Sequence, residues 1–159
     1  MINVRFSKIN ILIEKELLND MLFLEQKEGL NESGGILLGK HNKKKHLYQI
    51  TFFSKPNKKD NCGKYYFIRN KEAAQQVIDN KWKESLGIVN YLGEWHTHPC
   101  TNPYPSNTDL SLLKSIIEDK SNVWPNVIMI IIGQNKTYSI INCYKTKSKI
   151  KFELRKGIC

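Results

Sequence analysis

The sequence predicts an α/β protein, with strands in a layered sheet and three helices interspersed among them. Two observations carry that reading. Residues 127–132, Val-Ile-Met-Ile-Ile-Ile, are apolar without a break, as suits a strand covered on both faces. Three other segments, opening near Glu14, Asn70 and Ser106, repeat apolar residues at helical spacing, and short alternating runs lie between them.

In order along the chain, residues 2–13 alternate in part, with Ile2, Val4 and Phe6 followed by Ile9, Ile11 and Ile13. They read as one or two strands. Glu14–Glu28 reads as an amphipathic helix burying Leu17, Leu18, Met21, Leu22 and Leu24, with Gly29 as its C-cap. Gly35–Lys40 and Leu47–Ser54 read as strands joined by a basic turn, Lys40 to Lys45, with His41 and His46 as loop residues at its edges. Residues 55–63 form a loop by composition, and residues 65–68 a short strand. Asn70 caps a helix running to about Leu86, with Ala73, Ala74, Val77, Ile78 and Trp82 inward and Gly87 ending it. A strand from Ile88 leads into a histidine pair. A helix from Ser106 to about Lys120 follows, then the strand Asn126–Gly133 and a closing hairpin of residues 137–144 and 148–155.

At 159 residues the chain reads as a single domain, residues 1–159, large enough to bury a core without crosslinks. No run approaches the ~18 apolar residues of a membrane span, and Met1 to Arg5 lack the pattern of a secretion signal. Cys62, Cys100, Cys143 and Cys159 show no paired spacing, so a reduced, cytoplasmic setting is expected, with Cys100 a free thiol near the histidines. The net charge of +10 suggests an acidic partner. Alternate lysines from Lys145 to Lys151 read as one solvated strand face, opposite Ile150 and Phe152. No aromatic residues interleave these lysines in a binding pattern, which disfavours nucleic acid.

The chemistry concentrates in residues 94–99, Glu-Trp-His-Thr-His-Pro, and 106–109, Ser-Asn-Thr-Asp. In a strand, side chains two apart share a face, so His96 and His98 aim at one point. Pro99 ends the ladder. Leu110, Leu112, Leu113, Ile116 and Ile117 place Asp109 in the first turn of a helix. Two histidines and a carboxylate make a three-ligand zinc site with a fourth position open for water, the arrangement of a metal-assisted hydrolase. Ser106 and Asp109 also have the spacing of a helix capping box. A capping Asp109 would point at backbone, a liganding one at the histidines.

This pattern, with Glu32 ahead of the run Ser33-Gly34-Gly35-Ile36-Leu37-Leu38-Gly39, resembles the signature of the JAMM (JAB/MPN) zinc metallopeptidases. The wording from Tyr91 to Pro99, with Pro103, Pro105 and Ser106, is most similar to the JAB-domain deconjugating peptidases of CBASS antiphage operons. The resemblance implies an MPN/JAB-type mixed curved β-sheet with three flanking helices. It implies zinc on His96, His98 and Asp109, Glu32 as general base and then general acid, and Ser106 as donor to the developing oxyanion. The implied reaction cuts the amide after the C-terminus of a conjugated protein, a nucleotidyltransferase. A bacterial ubiquitin-like protein is the alternative tag, and an inactive scaffold of the same fold the alternative role. Glu94 is expected to be a same-face companion of His96, and Trp95 to be core.

Overall fold

The unbroken apolar run does become a strand, Asn126–Ile132, and every one of its residues is buried. A computed structural model describes residues 1–28, 31–99 and 102–158. Its elements in chain order are β1 (Ile2–Arg5), β2 (Asn10–Ile13), α1 (Lys15–Glu28), β3 (Gly34–Asn42) and β4 (Leu47–Phe53). Then come β5 (Asn61–Gly63), β6 (Tyr66–Ile68), α2 (Lys71–Glu84), β7 (Asn90–Thr97) and α3 (Asn107–Glu118). The apolar strand is β8, followed by β9 (Thr137–Lys145) and β10 (Ile150–Ile158). Gly29, Cys100 and Cys159, to which the sequence assigned a cap and thiols, lie outside the described residues.

Eight strands form one mixed sheet in the order β1-β2-β4-β3-β7-β8-β9-β10. The β2–β4 and β7–β8 pairs are parallel and the rest antiparallel. β8 explains the layering. Its Ile128, Ile130 and Ile132 join a core with Leu18, Met21 and Leu22 of α1, while Val127, Met129 and Ile131 pack with Leu113 and Ile117 of α3. α2 covers Ile36 and Leu38 of β3 on that second face. The first core gathers residues from β2 to β9 around α1, so the sheet curls about that helix. The curl brings β10 back to the start of the chain: Ser7 bonds the Glu153 carboxylate, and Arg155 Nε donates to the Arg5 carbonyl.

Several local expectations are corrected. β7 starts at Asn90, not Ile88, because Leu86 and Gly87 take positive φ (54° and 82°) to turn the chain out of α2 and leave Ile88 exposed. Trp82 is 47% exposed rather than inward. His41 lies within β3, stacked on Tyr48 with ring centroids 4.1 Å apart, rather than in a loop. Residues 146–149 turn between β9 and β10, so the lysines from 145 to 151 do not share one strand face. Residues 61–63, taken as loop, pair with β6 across the two-residue turn Lys64-Tyr65.

β3 carries register shifts on both sides, at Leu38/Gly39 toward β4 and at Leu37/Leu38 toward β7. A Cβ on Gly39 would lie 2.8 Å from Leu92 Cδ1 and closer still to the Gln49 carbonyl oxygen. Gly39→Ala is therefore expected to destabilise the fold by about 1–3 kcal/mol, the usual range for overpacking, read as a lower urea midpoint at unchanged slope.

Candidate metal centre

The site is set by the pairing of β3 with β7. Gly34 stands opposite His96, Gly35 opposite Trp95 and Ile36 opposite Glu94. Extending this antiparallel count puts Ser33 opposite Thr97 and Glu32 opposite His98. Two contacts past the ladder's end agree with that count: the Thr97 amide donates to the Ser33 carbonyl at 2.8 Å, and the Ser33 amide donates to Thr97 Oγ1 at 2.9 Å. Opposed residues share a face, so Glu32, His96 and His98 point to the same side, the side of α2 and α3. Trp95 faces the other way into the α1 core, fully buried, with its indole N–H on the Ser54 carbonyl. Gly34 makes room for the histidine: a Cβ there would sit 2.8 Å from His96 Cβ.

His96 and His98 are both buried, and their Nε2 atoms lie 3.0 Å apart. Two imidazole nitrogens so close repel through their lone pairs unless a cation or a proton sits beside them. His98 Nδ1 lies 3.4 Å from the Asn102 carbonyl, which can only accept, so a proton belongs on Nδ1 and Nε2 is the atom left to bind a metal once its own proton is lost. Asp109 completes the group, with Oδ1 3.1 Å from His96 Nε2 and Oδ2 3.4 Å from His98 Nε2. Ligand bonds of ~2.0–2.1 Å in tetrahedral geometry separate neighbouring donor atoms by roughly 3.3 Å. The three contacts, at 3.0, 3.1 and 3.4 Å, are of that size, the two to Asp109 ending on different oxygens of its carboxylate. A nitrogen–nitrogen–oxygen donor set of these dimensions fits zinc.

Asp109 does both things the sequence left open. Its Oδ2 accepts from the Ser106 amide at 2.7 Å, its own amide donates to Ser106 Oγ at 3.1 Å, and the carboxylate still reaches both histidines. The capping box thus aims the carboxylate at the imidazoles. Burial would raise the Asp109 pKa, but the hydrogen bonds from His96 and His98 outweigh it and hold the carboxyl well below the usual range. Burial would lower the His98 pKa, but the Asp109 carboxylate and Glu32 overcome it and raise it.

Glu32 stands further off. One carboxylate oxygen lies within 4.8 Å of a ring nitrogen of each histidine. Burial raises its pKa, with the histidines opposing. Glu32 and the histidines are thus also a possible ligand set, but Asp109 makes the shorter contacts with both rings.

The cleft around the site has a volume of about 580 Å³. Its lining includes Tyr65, Tyr66 and Ile68 at the β5–β6 hairpin, Tyr104 of the loop after His98, and Leu112 of α3, all substantially exposed. The Glu32 amide donates to the Gly63 carbonyl at 2.8 Å, which ties this hairpin to the site.

Sequence reasoning missed the partners of Glu94. Its carboxylate is 4% exposed, accepts from Arg69 Nε at 2.9 and 3.0 Å and from the Tyr91 hydroxyl at 2.6 Å. It shares the His96 face, as expected, but its bonds go to Arg69, just ahead of α2, and to Tyr91 of β7 itself. Arg69, directly after an apolar strand and before a helix cap, was the available signal.

A family model described as prokaryotic homologs of the JAB domain matches residues 14–145. A protein of Enterobacter hormaechei subsp. hoffmannii named CD-NTase/cGAS isopeptidase is 29% identical over 123 residues, 77% of this chain and 67% of that protein. One of Escherichia coli with the same name is 36% identical over 104 residues, covering 65% and 62%. A probable metalloprotease of Sinorhizobium fredii, y4qB, is 34% identical over 67 residues, covering 42% and 41%. The chain spans about two thirds of the length of the isopeptidase-named relatives it matches. The solution structure of protein DSY2949 from Desulfitobacterium hafniense superposes with a TM-score of 0.60 at 21% identity, covering 90% of this chain and 89% of that one, a likeness of fold.

Two measurements probe the geometry. His98 must shed its proton to bind metal, and its pKa is raised, so zinc affinity should fall about tenfold per pH unit below that pKa in calorimetric titrations. In the metal-free chain the signs are opposite for the two groups. Stability from Asp109 is present above about pH 4 and lost on acidification, while that from His98 is present below about pH 6.5 and lost as pH rises through its raised pKa. Second, Glu94→Gln leaves the Arg69 guanidinium without its counter-charge. It should cost roughly 1–3 kcal/mol in urea unfolding, partly recovered in the double variant with Arg69→Met, without loss of zinc.

Proposed function

Because the chain belongs to the prokaryotic homologs of the JAB domain, we propose that it is a zinc-dependent isopeptidase. It cleaves the amide joining the C-terminus of a protein tag to an amine. The observation that carries this reading is the convergence of His96, His98 and Asp109, with Glu32 beside them, in one cleft. Residues 1–159 act as a single domain.

His96, His98 and Asp109 would hold the metal, which when bound would polarise the scissile carbonyl and acidify a water. Glu32, held near the histidines with a pKa raised by burial, takes the proton from the attacking water. It then delivers that proton to the departing amine, which leaves poorly unless protonated. Ser106 Oγ accepts the Asp109 amide, so its own O–H is free to donate to the developing oxyanion. The aromatic and aliphatic lining of the cleft suits an extended tail.

The relatives named CD-NTase/cGAS isopeptidase support a nucleotidyltransferase as the tag. A ubiquitin-like protein is the second tag to test. An inactive scaffold is disfavoured by the presence of Glu32, Ser106 and all three proposed ligands. Among the described residues no helix is long and apolar enough to cross a membrane.

The test fuses the cognate nucleotidyltransferase, or a ubiquitin-like protein, through its C-terminus to a reporter. Release at the tag's last residue, stopped by chelator, is expected. Glu32→Gln should keep zinc and lose turnover. Ser106→Ala should lower kcat by ~10²–10³ and cost about 1 kcal/mol through the lost cap. If neither fusion is cut by fully zinc-loaded protein, the scaffold reading replaces this one.

A further inference from the structure

Glu32 lies outside the β3–β7 ladder. β3 begins at Gly34, so residues 32 and 33 precede the regular ladder. What holds them to the ligand strand is one residue, Thr97, placed between the two histidines. It is 1% exposed, and Ser33 is 6% exposed. Its amide donates to the Ser33 carbonyl, and its side-chain oxygen accepts the Ser33 amide. A regular antiparallel pair at this point would use the Thr97 carbonyl as acceptor. Here the hydroxyl replaces it, because β7 ends at Thr97 and the chain turns away through His98 and Pro99.

The hydroxyl therefore carries the pairing one residue past the end of the ladder, to the residue next to Glu32. On its other side the Glu32 amide donates to the Gly63 carbonyl of the hairpin. The Ser33 amide is buried, and among the described residues the Thr97 hydroxyl is its only acceptor.

We propose that Thr97 is a positioning residue, whose hydroxyl fixes the Glu32 carboxyl over the paired imidazoles by accepting the Ser33 amide. Removing it leaves the metal ligands in place but frees the loop carrying Glu32. The proposal rests on the isopeptidase reading for its kinetic consequence and on geometry alone for the contact. Misplacing a proton-transfer group by about 1 Å costs on the order of 10² in rate.

The experiment has two arms, using Thr97→Val, with Thr97→Ala if the valine variant does not accumulate, and Thr97→Ser as the variant that keeps the hydroxyl. The first arm follows amide hydrogen exchange of the metal-free protein by NMR. The Ser33 amide should be protected in wild type and in Thr97→Ser, and exposed in Thr97→Val at an unchanged melting temperature of the core strands. The second arm measures cleavage of the reporter fusion. Thr97→Val should retain one zinc and the wild-type KM while kcat falls about 10²-fold, and Thr97→Ser should restore kcat. An unprotected Ser33 amide in wild type overturns the proposal. So does wild-type kcat in Thr97→Val, or a loss of zinc, which would place the effect on the histidines. If wild type cuts no fusion, the isopeptidase reading fails, and the exchange arm still decides whether the contact exists.

Discussion

The pairing of β3 with β7 is the constraint on which the site depends. Opposed residues share a face, so one count along two strands decides that Glu32, His96 and His98 meet. A slip of one residue would turn Glu32 toward the α1 core and bring Ser33 to the histidines' face. The fold guards against that slip with side chains of opposite character on the two faces. Leu37 and Trp95 belong to the α1 core, whereas Glu94 and His96 belong to a polar site. The register shifts at Leu37/Leu38 and Leu38/Gly39 lie further along β3. They let the outer half of the strand follow its own pairing without disturbing the end that carries the chemistry.

The centre collects its groups from three places: β7, the segment before β3, and the first turn of α3. Each is anchored by a local device. The capping box fixes Asp109, the Asn102 carbonyl fixes the His98 ring, and the ladder fixes His96. Two prolines between His98 and α3 are themselves held, since Ser139 Oγ donates to the Pro103 carbonyl and Gln134 Nε2 donates to the Pro99 carbonyl. A second polar group, Glu94 with Arg69 and Tyr91, lies on the same face and joins β7 to the start of α2. Buried ionic groups are costly unless their hydrogen bonds are filled, and both groups meet that requirement largely with neighbours close in the fold.

Much of this was legible in the sequence. The period-two spacing of His96 and His98 and the turn position of Asp109 are local signals, and local signals survive folding. The both-faces burial of β8 was legible for the same reason. Ile88 was misread because the left-handed turn at Leu86 and Gly87 reorients the chain there, and Trp82, in the last turns of α2, is left half exposed. The β5–β6 hairpin was half missed: its first strand, Asn61-Cys62-Gly63, has no strand-like composition and pairs only because Tyr66–Ile68 returns beside it. The Arg69–Glu94 and Ser33–Thr97 pairs join residues 25 and 64 apart in sequence, and no periodicity reports contacts of that kind.

The seam between β1 and β10 has a consequence for how the chain reaches this state. Ser7 and Glu153 are 146 residues apart, and Arg5 and Arg155 are 150 apart. They meet through side chains, with no backbone ladder across the seam in the sheet order. Closing so long a loop early is entropically unfavourable and is rewarded by few bonds, so the seam is expected to close after the inner strands have paired and to be among the first contacts to part. β7, which carries His96, and its neighbour β3 occupy the middle of the sheet, with three strands beyond them on either side. Breathing at the seam can therefore proceed while the chemical centre stays assembled.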